Sequence, residues 1–124
     1  MAEAISRDDA ADVLESSSAG LYPLGYIAEL TKQTLMKNGY SANGLTSDVL
    51  RKEAVEGADL IINMTGRASE EVFSGQENVE DWIVEDPFGA DPETYQRVFE
   101  GIQRRVKQLA FSLREQRQGQ KAPR

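Results

Sequence analysis

Residues 57–65 read Gly57-Ala58-Asp59-Leu60-Ile61-Ile62-Asn63-Met64-Thr65, and this stretch decides the fold class. The Leu-Ile-Ile run is short, β-branched and bounded by glycine at Gly57 and Gly66, which predicts a strand rather than a helix segment. Its apolar character is continuous instead of alternating, as expected of a strand covered on both faces, and strands of that kind belong to parallel sheets flanked by helices.

The flanks agree with this. Before it, Ser47 is a candidate N-cap for a helix over Asp48–Glu56 that Gly57 closes. After it, Thr65-Gly66 breaks the strand, Ala68–Phe73 has the composition of a short helix, and Val79–Ile83 reads as a last strand running into Glu85-Asp86-Pro87-Phe88-Gly89. Asp91 then caps the longest helix. Tyr95, Val98, Phe99, Ile102, Val106, Leu109, Ala110 and Leu113 recur at helical spacing and form one apolar stripe. Towards the N-terminus, Ile27, Leu30, Thr31, Thr34 and Leu35 share a face of a helix that ends near Asn38, with Gly39 in the C′ position. Ala2 to about Ala11 predicts another helix, and Val13–Ser17 a strand poor in apolar residues that ends at Ser18-Ala19-Gly20. The alternation of these two patterns predicts an α/β fold on a parallel sheet.

Length and composition fit one soluble domain. The chain has 124 residues, 40% hydrophobic and 28% charged, enough for a single core. We expect the domain over residues 1–115 and a flexible tail over 116–124, where Gln, Gly, Pro and Arg replace the apolar stripe. No apolar run is long enough to span a bilayer and the first residues lack a basic segment followed by an apolar one, so no membrane association and a cytoplasmic location are expected. The absence of cysteine and histidine removes disulfides, thiolate nucleophiles and imidazole acid–base chemistry, and we expect no cofactor and no metal site. The net charge of −7 argues against nucleic acid as a partner, because affinity there comes from cations that neutralise phosphates. Half of the 14 Lys and Arg residues lie between Arg104 and Arg124, where Glu115 is the only acid. We read them as a solvated helix face whose cations complement the negative end of the helix dipole.

Several stretches resemble the low-molecular-weight protein tyrosine phosphatases and their arsenate reductase relatives. Met1-Ala2-Glu3-Ala4-Ile5 is similar to the start of that family's first helix, Ser17-Ser18-Ala19-Gly20 to its second strand and following turn, and Ala58–Met64 to its third strand. The most specific element is Val79-Glu80-Asp81-Trp82 through Asp86-Pro87-Phe88-Gly89, because the family carries an Asp-Pro pair followed by an aromatic residue on a loop after its last strand. The resemblance implies a three-layer, flavodoxin-like parallel-sheet fold. It assigns Asp86 the role of general acid that protonates the departing phenolate, and gives Phe88 and Pro87 places beside the substrate ring. Proline's fixed φ also biases Asp86 towards an extended backbone. Trp82, four residues earlier, is read as sheet packing, and Tyr22, Tyr26, Tyr40 and Tyr95 as ordinary packing or surface residues.

In complete members the nucleophilic cysteine and the phosphate-binding arginine lie on a Cys-x5-Arg-Ser-Pro loop between the first strand and the first helix. Their substrates are phosphotyrosine proteins or small phosphate esters. This sequence opens on the helix, so the resemblance implies a domain truncated of its first strand and without phosphatase activity of its own. A non-catalytic protein-interaction module and a truncated arsenate reductase-like protein are the alternatives. In the family the first strand lies between the counterparts of Val13–Ser17 and Leu60–Met64. Its loss would expose apolar strand edges, and a homo-oligomer is expected to cover them.

Overall fold

A computed structural model describes residues 1–121, with side chains through Arg117. The elements in chain order are α1 (Ala2–Asp9), α2 (Glu29–Lys37), α3 (Lys52–Gly57), β1 (Ile61–Asn63), α4 (Ser69–Val72), β2 (Val79–Asp81) and α5 (Pro92–Lys121). They fall into two compact units. One contains Met1–Ser17, Ile27–Leu45 and the chain from Pro87; the other contains Ser18–Tyr26 and Thr46–Asp86.

The first unit is helical, with α1 and α2 packed on α5. Asp91 caps α5 as its sequence predicts: its Oδ1 accepts a hydrogen bond from the Thr94 N–H at 2.8 Å, satisfying a donor that the helix itself leaves unpaired. From there the stripe Tyr95, Val98, Phe99, Ile102, Val106 and Ala110 is buried, its residues recurring at the three-and-four spacing of one helix face. It meets Ala4 and Ile5 of α1 and Leu35 of α2 in the same core. Tyr40 lies edge-on to Phe99, with ring centroids 5.6 Å apart. Its hydroxyl donates to Asp9 Oδ2 and accepts from Gln103 Nε2 at 2.9 Å, so the polar tip of this buried ring is paired. Gly39 ends α2 with φ +85° and donates its N–H to the Met36 carbonyl at 3.1 Å, the left-handed position glycine fills without strain.

One expectation for this unit is corrected. Residues 13–17 form no strand: Val13 and Leu14 donate back to the Ala10 carbonyl at 3.0 and 2.8 Å, and Ser16 Oγ accepts from Ser6 Oγ at 2.7 Å. A serine-rich segment has little apolar surface to gain from a sheet and competes for local hydrogen bonds. At the other end, α5 continues to Lys121, so residues 116–121 of the expected tail are helical. Glu115, Gln116 and Arg117 are good helix formers, and propensity carries the helix on after the apolar stripe ends. Residues 122–124 of that tail lie outside the described residues.

The second unit holds the sheet. Strands β1 and β2 run parallel in the register Ile61↔Val79, Ile62↔Glu80, Asn63↔Asp81, and Ile61 and Asn63 are buried. The Trp82 N–H continues the ladder to the Asn63 carbonyl at 2.9 Å. Trp82 itself is buried, its Nε1 donating to Glu80 Oε2 at 2.6 Å, which agrees with its reading as sheet packing. A separate parallel bridge joins Gly20 to Val49. It displaces the start of α3 from Asp48 to Lys52, because the backbone groups of Asp48 and Leu50 are committed to Gly20 at 2.9 Å each. Ser47, expected as a helix cap, instead accepts the Gly25 N–H at 3.2 Å.

Candidate functional site

Parallel pairing puts the carboxyl ends of β1 and β2 on one edge of the sheet, the edge where open α/β sheets bind ligands. The chain leaves that edge twice, into residues 64–68 after β1 and 82–90 after β2.

Asn63 organises the first exit. Only 3% of its surface is exposed, and its side chain is fully used. Nδ2 donates to the Arg67 carbonyl and to Asp81 Oδ1, both at 2.9 Å. Oδ1 accepts from the Thr65 N–H at 3.1 Å and the Thr65 hydroxyl at 2.7 Å. Thr65 Oγ1 in turn accepts the Arg67 N–H at 3.1 Å. One amide therefore fixes the turn after β1 and ties it to the last residue of β2. The sequence carries a signal for this in Asn-x-Thr-Gly, an Asx-turn pattern. As a bare sequence match Asn63-Met64-Thr65 reads only as a glycosylation acceptor, and its buried, committed amide does not suit that role.

The second exit carries the residues singled out from the Asp-Pro pattern. After Trp82 the chain has no regular structure up to Pro87, and Asp86 is exposed. The Ala90 N–H donates to the Pro87 carbonyl at 2.8 Å, closing a turn in which Gly89 has φ +84°. A turn with positive φ at its third residue requires glycine or asparagine there. Phe88, the second residue of that turn, is 56% exposed, and Ile83 is 88% exposed. The division between the two compact units falls between Asp86 and Pro87. Asp86 therefore presents an exposed carboxyl on an irregular stretch. Nothing in the 124 residues can supply a thiolate, since the chain contains no cysteine.

A third feature of the second unit lies outside the Asp-Pro pattern. The Arg67 guanidinium sits over the Tyr22 ring, 5.6 Å from its centroid, within cation–π range. Tyr22 is 79% exposed.

The chain matches the family described as low molecular weight phosphotyrosine protein phosphatase over residues 1–119, and it belongs to that family. A relative in Halobacterium salinarum that carries an arsenate reductase name is 24% identical over 103 residues, covering 83% of this chain and 72% of the relative. Among solved structures, the arginine phosphatase YwlE from Geobacillus stearothermophilus superposes with a TM-score of 0.83 at 22% identity, over 95% of this chain and 86% of that one. A low molecular weight protein tyrosine phosphatase from T. tengcongensis gives 0.79 at 22% identity, over 90% and 88%. At such identities the superpositions show the fold, which is the α/β parallel-sheet fold expected from the sequence.

Proposed function

We propose that this 124-residue chain is a phosphatase-family domain in which Asp86 keeps the position of a proton donor, with Phe88 and Pro87 beside the substrate, while the chain by itself does not hydrolyse phosphate esters. The observation that carries the reading is the family match over residues 1–119 in a chain without a cysteine. A carboxyl group can protonate a leaving phenolate, but it does not replace a thiolate nucleophile together with the backbone cradle that holds a phosphate. The purified chain should give no turnover of p-nitrophenyl phosphate above background; hydrolysis abolished by Asp86→Asn would overturn this. Joining a strand and a Cys-x5-Arg-Ser-Pro segment ahead of Met1 should create turnover. Asp86→Ala should then lower it by roughly 10²–10⁴-fold, the range of general-acid catalysis. Indifference of that fusion to Asp86 would remove the residue from the reading while leaving the family intact. In complete members the substrate class is a phosphotyrosine protein or a small phosphate ester, and the expected compartment is the cytoplasm.

A second copy of the chain is the partner this reading favours. Strand β1 spends the backbone groups of Ile61 and Asn63 on β2 and the residues on either side of it, so those of Ile62 point to the opposite edge. Among the described residues the regular sheet has two strands, and no third continues it there. An open edge with apolar neighbours is an association site. Light scattering after size exclusion should therefore give a dimer or larger species at micromolar concentration, and a monomer that unfolds cooperatively would overturn it.

A further inference from the structure

The chain holds four tyrosines, and their surroundings separate them. Tyr40 and Tyr95 are buried, whereas Tyr22 and Tyr26 are 79% and 60% exposed. Tyr22 lies on residues 18–26, which have no helix and only the single Gly20 bridge to Val49. No hydrogen bond engages its hydroxyl among the described residues. The run from Ser16 to Ala28 contains no charged residue in a chain that otherwise carries 21 acids and a net charge of −7. Over the Tyr22 ring lies Arg67. Its backbone is held by Asn63 and Thr65, and its guanidinium has no carboxylate partner among the described residues. An unpaired cation in an acidic protein, presented by a pinned loop to one exposed tyrosine and not to the other, marks that tyrosine as a place where a dianion would be accepted.

We propose that Tyr22 is a phosphorylation site and that Arg67 is the counter-ion built to receive the phosphate. The donor is a nucleoside triphosphate bound to a protein tyrosine kinase. The Tyr22 phenolic oxygen forms a bond to the γ-phosphorus, and the bond from that phosphorus to the β,γ-bridging oxygen breaks. The nucleoside diphosphate leaves with the electron pair, and the phenolic proton passes to the kinase's catalytic base. The product phosphate carries close to two negative charges at neutral pH and three acceptor oxygens. The Arg67 fork pairs with such a group through charge-assisted hydrogen bonds. Moving from the ring face to the phosphate, Arg67 ties residues 18–26 to the turn that follows β1, the turn that Asn63 also fastens to the end of β2. A covalent mark on Tyr22 is thereby coupled to the carboxyl edge of the sheet.

The test uses the full chain, ATP, magnesium and a recombinant tyrosine kinase domain of broad acceptor preference, with the modified residue mapped by peptide mass spectrometry. Tyr22 should carry the phosphate, and Tyr22→Phe should abolish most of the incorporation while leaving the far-ultraviolet circular dichroism unchanged, as suits an exposed ring. In the phosphorylated chain, the second ionisation of the phosphate, followed by phosphorus NMR, should lie below its position in phosphorylated Arg67→Gln, because the cation favours the dianion. Equal or greater modification of Tyr26 would overturn the site. A phosphate titration unmoved by Arg67→Gln would overturn the role of the arginine.

Discussion

Both polar atoms of the Asn63 side chain are engaged, and the groups they engage belong to the turn after β1 and to the last residue of β2. Truncation to alanine leaves the Thr65 N–H, the Arg67 carbonyl and Asp81 Oδ1 each short of a partner. A hydrogen bond contributes about 0.5–1.5 kcal/mol net to stability, so Asn63→Ala should lower stability in urea by at least about that amount. A variant as stable as the parent would show that water replaces the amide without loss. A charged pair in the helical unit gives a pH-dependent effect. The Arg114 guanidinium grips both oxygens of Asp12 at 2.8 Å, and this hydrogen bonding lowers the Asp12 pKa from 3.8 to about 2. A carboxylate whose folded pKa is depressed contributes stability above its unfolded value and loses that contribution as the pH falls through the folded one. The stability advantage of the parent over Arg114→Gln should therefore be full above pH 3.8 and shrink as the pH drops towards 2, leaving what the Arg114 bond to the Asp9 carbonyl contributes. Urea midpoints of the two proteins that keep a constant separation across that window would contradict the assignment.

Helix α5 crosses from legible to illegible along its own length. Its start was written in Asp91-Pro92 and its packing face in the three-and-four spacing of Tyr95 to Ala110, because caps and amphipathic stripes are local signals. Its end was not, since residues 116–121 lack the apolar stripe and hold their helix through propensity. The same contrast separates the strands. Leu60–Asn63 announces itself by apolar content, while the Gly20–Val49 bridge rests on backbone groups that any sequence possesses. The Asp-Pro loop was visible as a pattern, yet the hub at Asn63 and the Arg67–Tyr22 contact join residues that are distant in sequence or ordinary in type. Within α5, Gly101 is a helix-interior glycine with helical room to spare: a β-carbon placed on it meets only the Arg104 guanidinium, at 3.8 Å. Gly101→Ala should stabilise the protein by about 0.5–1 kcal/mol through reduced backbone entropy in the unfolded chain. A lowered thermal midpoint would mean that the helix needs the glycine for a reason other than space.

At the scale of the molecule, association and stability become one measurement. If copies pair along the outer edge of β1, the folded state is favoured by mass action and the thermal midpoint rises with protein concentration; a midpoint independent of concentration would accompany the monomer that overturns the dimer. The lifetime of the preparation depends on a smaller feature. The dipeptide Asn-Gly occurs twice, at Asn38-Gly39 and Asn43-Gly44, and in each the glycine nitrogen can attack the preceding side-chain amide carbon and expel ammonia. At the end of α2 that route is closed. The Asn38 amide donates to the Thr34 carbonyl at 2.7 Å and exchanges hydrogen bonds with Gln96 at 2.8 and 3.1 Å, and the attacking Gly39 nitrogen is committed to Met36. Asn43 is exposed in an irregular loop. The reciprocal amide pair with Gln96 thus guards one of two chemically identical clocks, so deamidation of a stored sample is expected at Asn43 ahead of Asn38, and peptide mass spectrometry finding Asn38 converted first would contradict this.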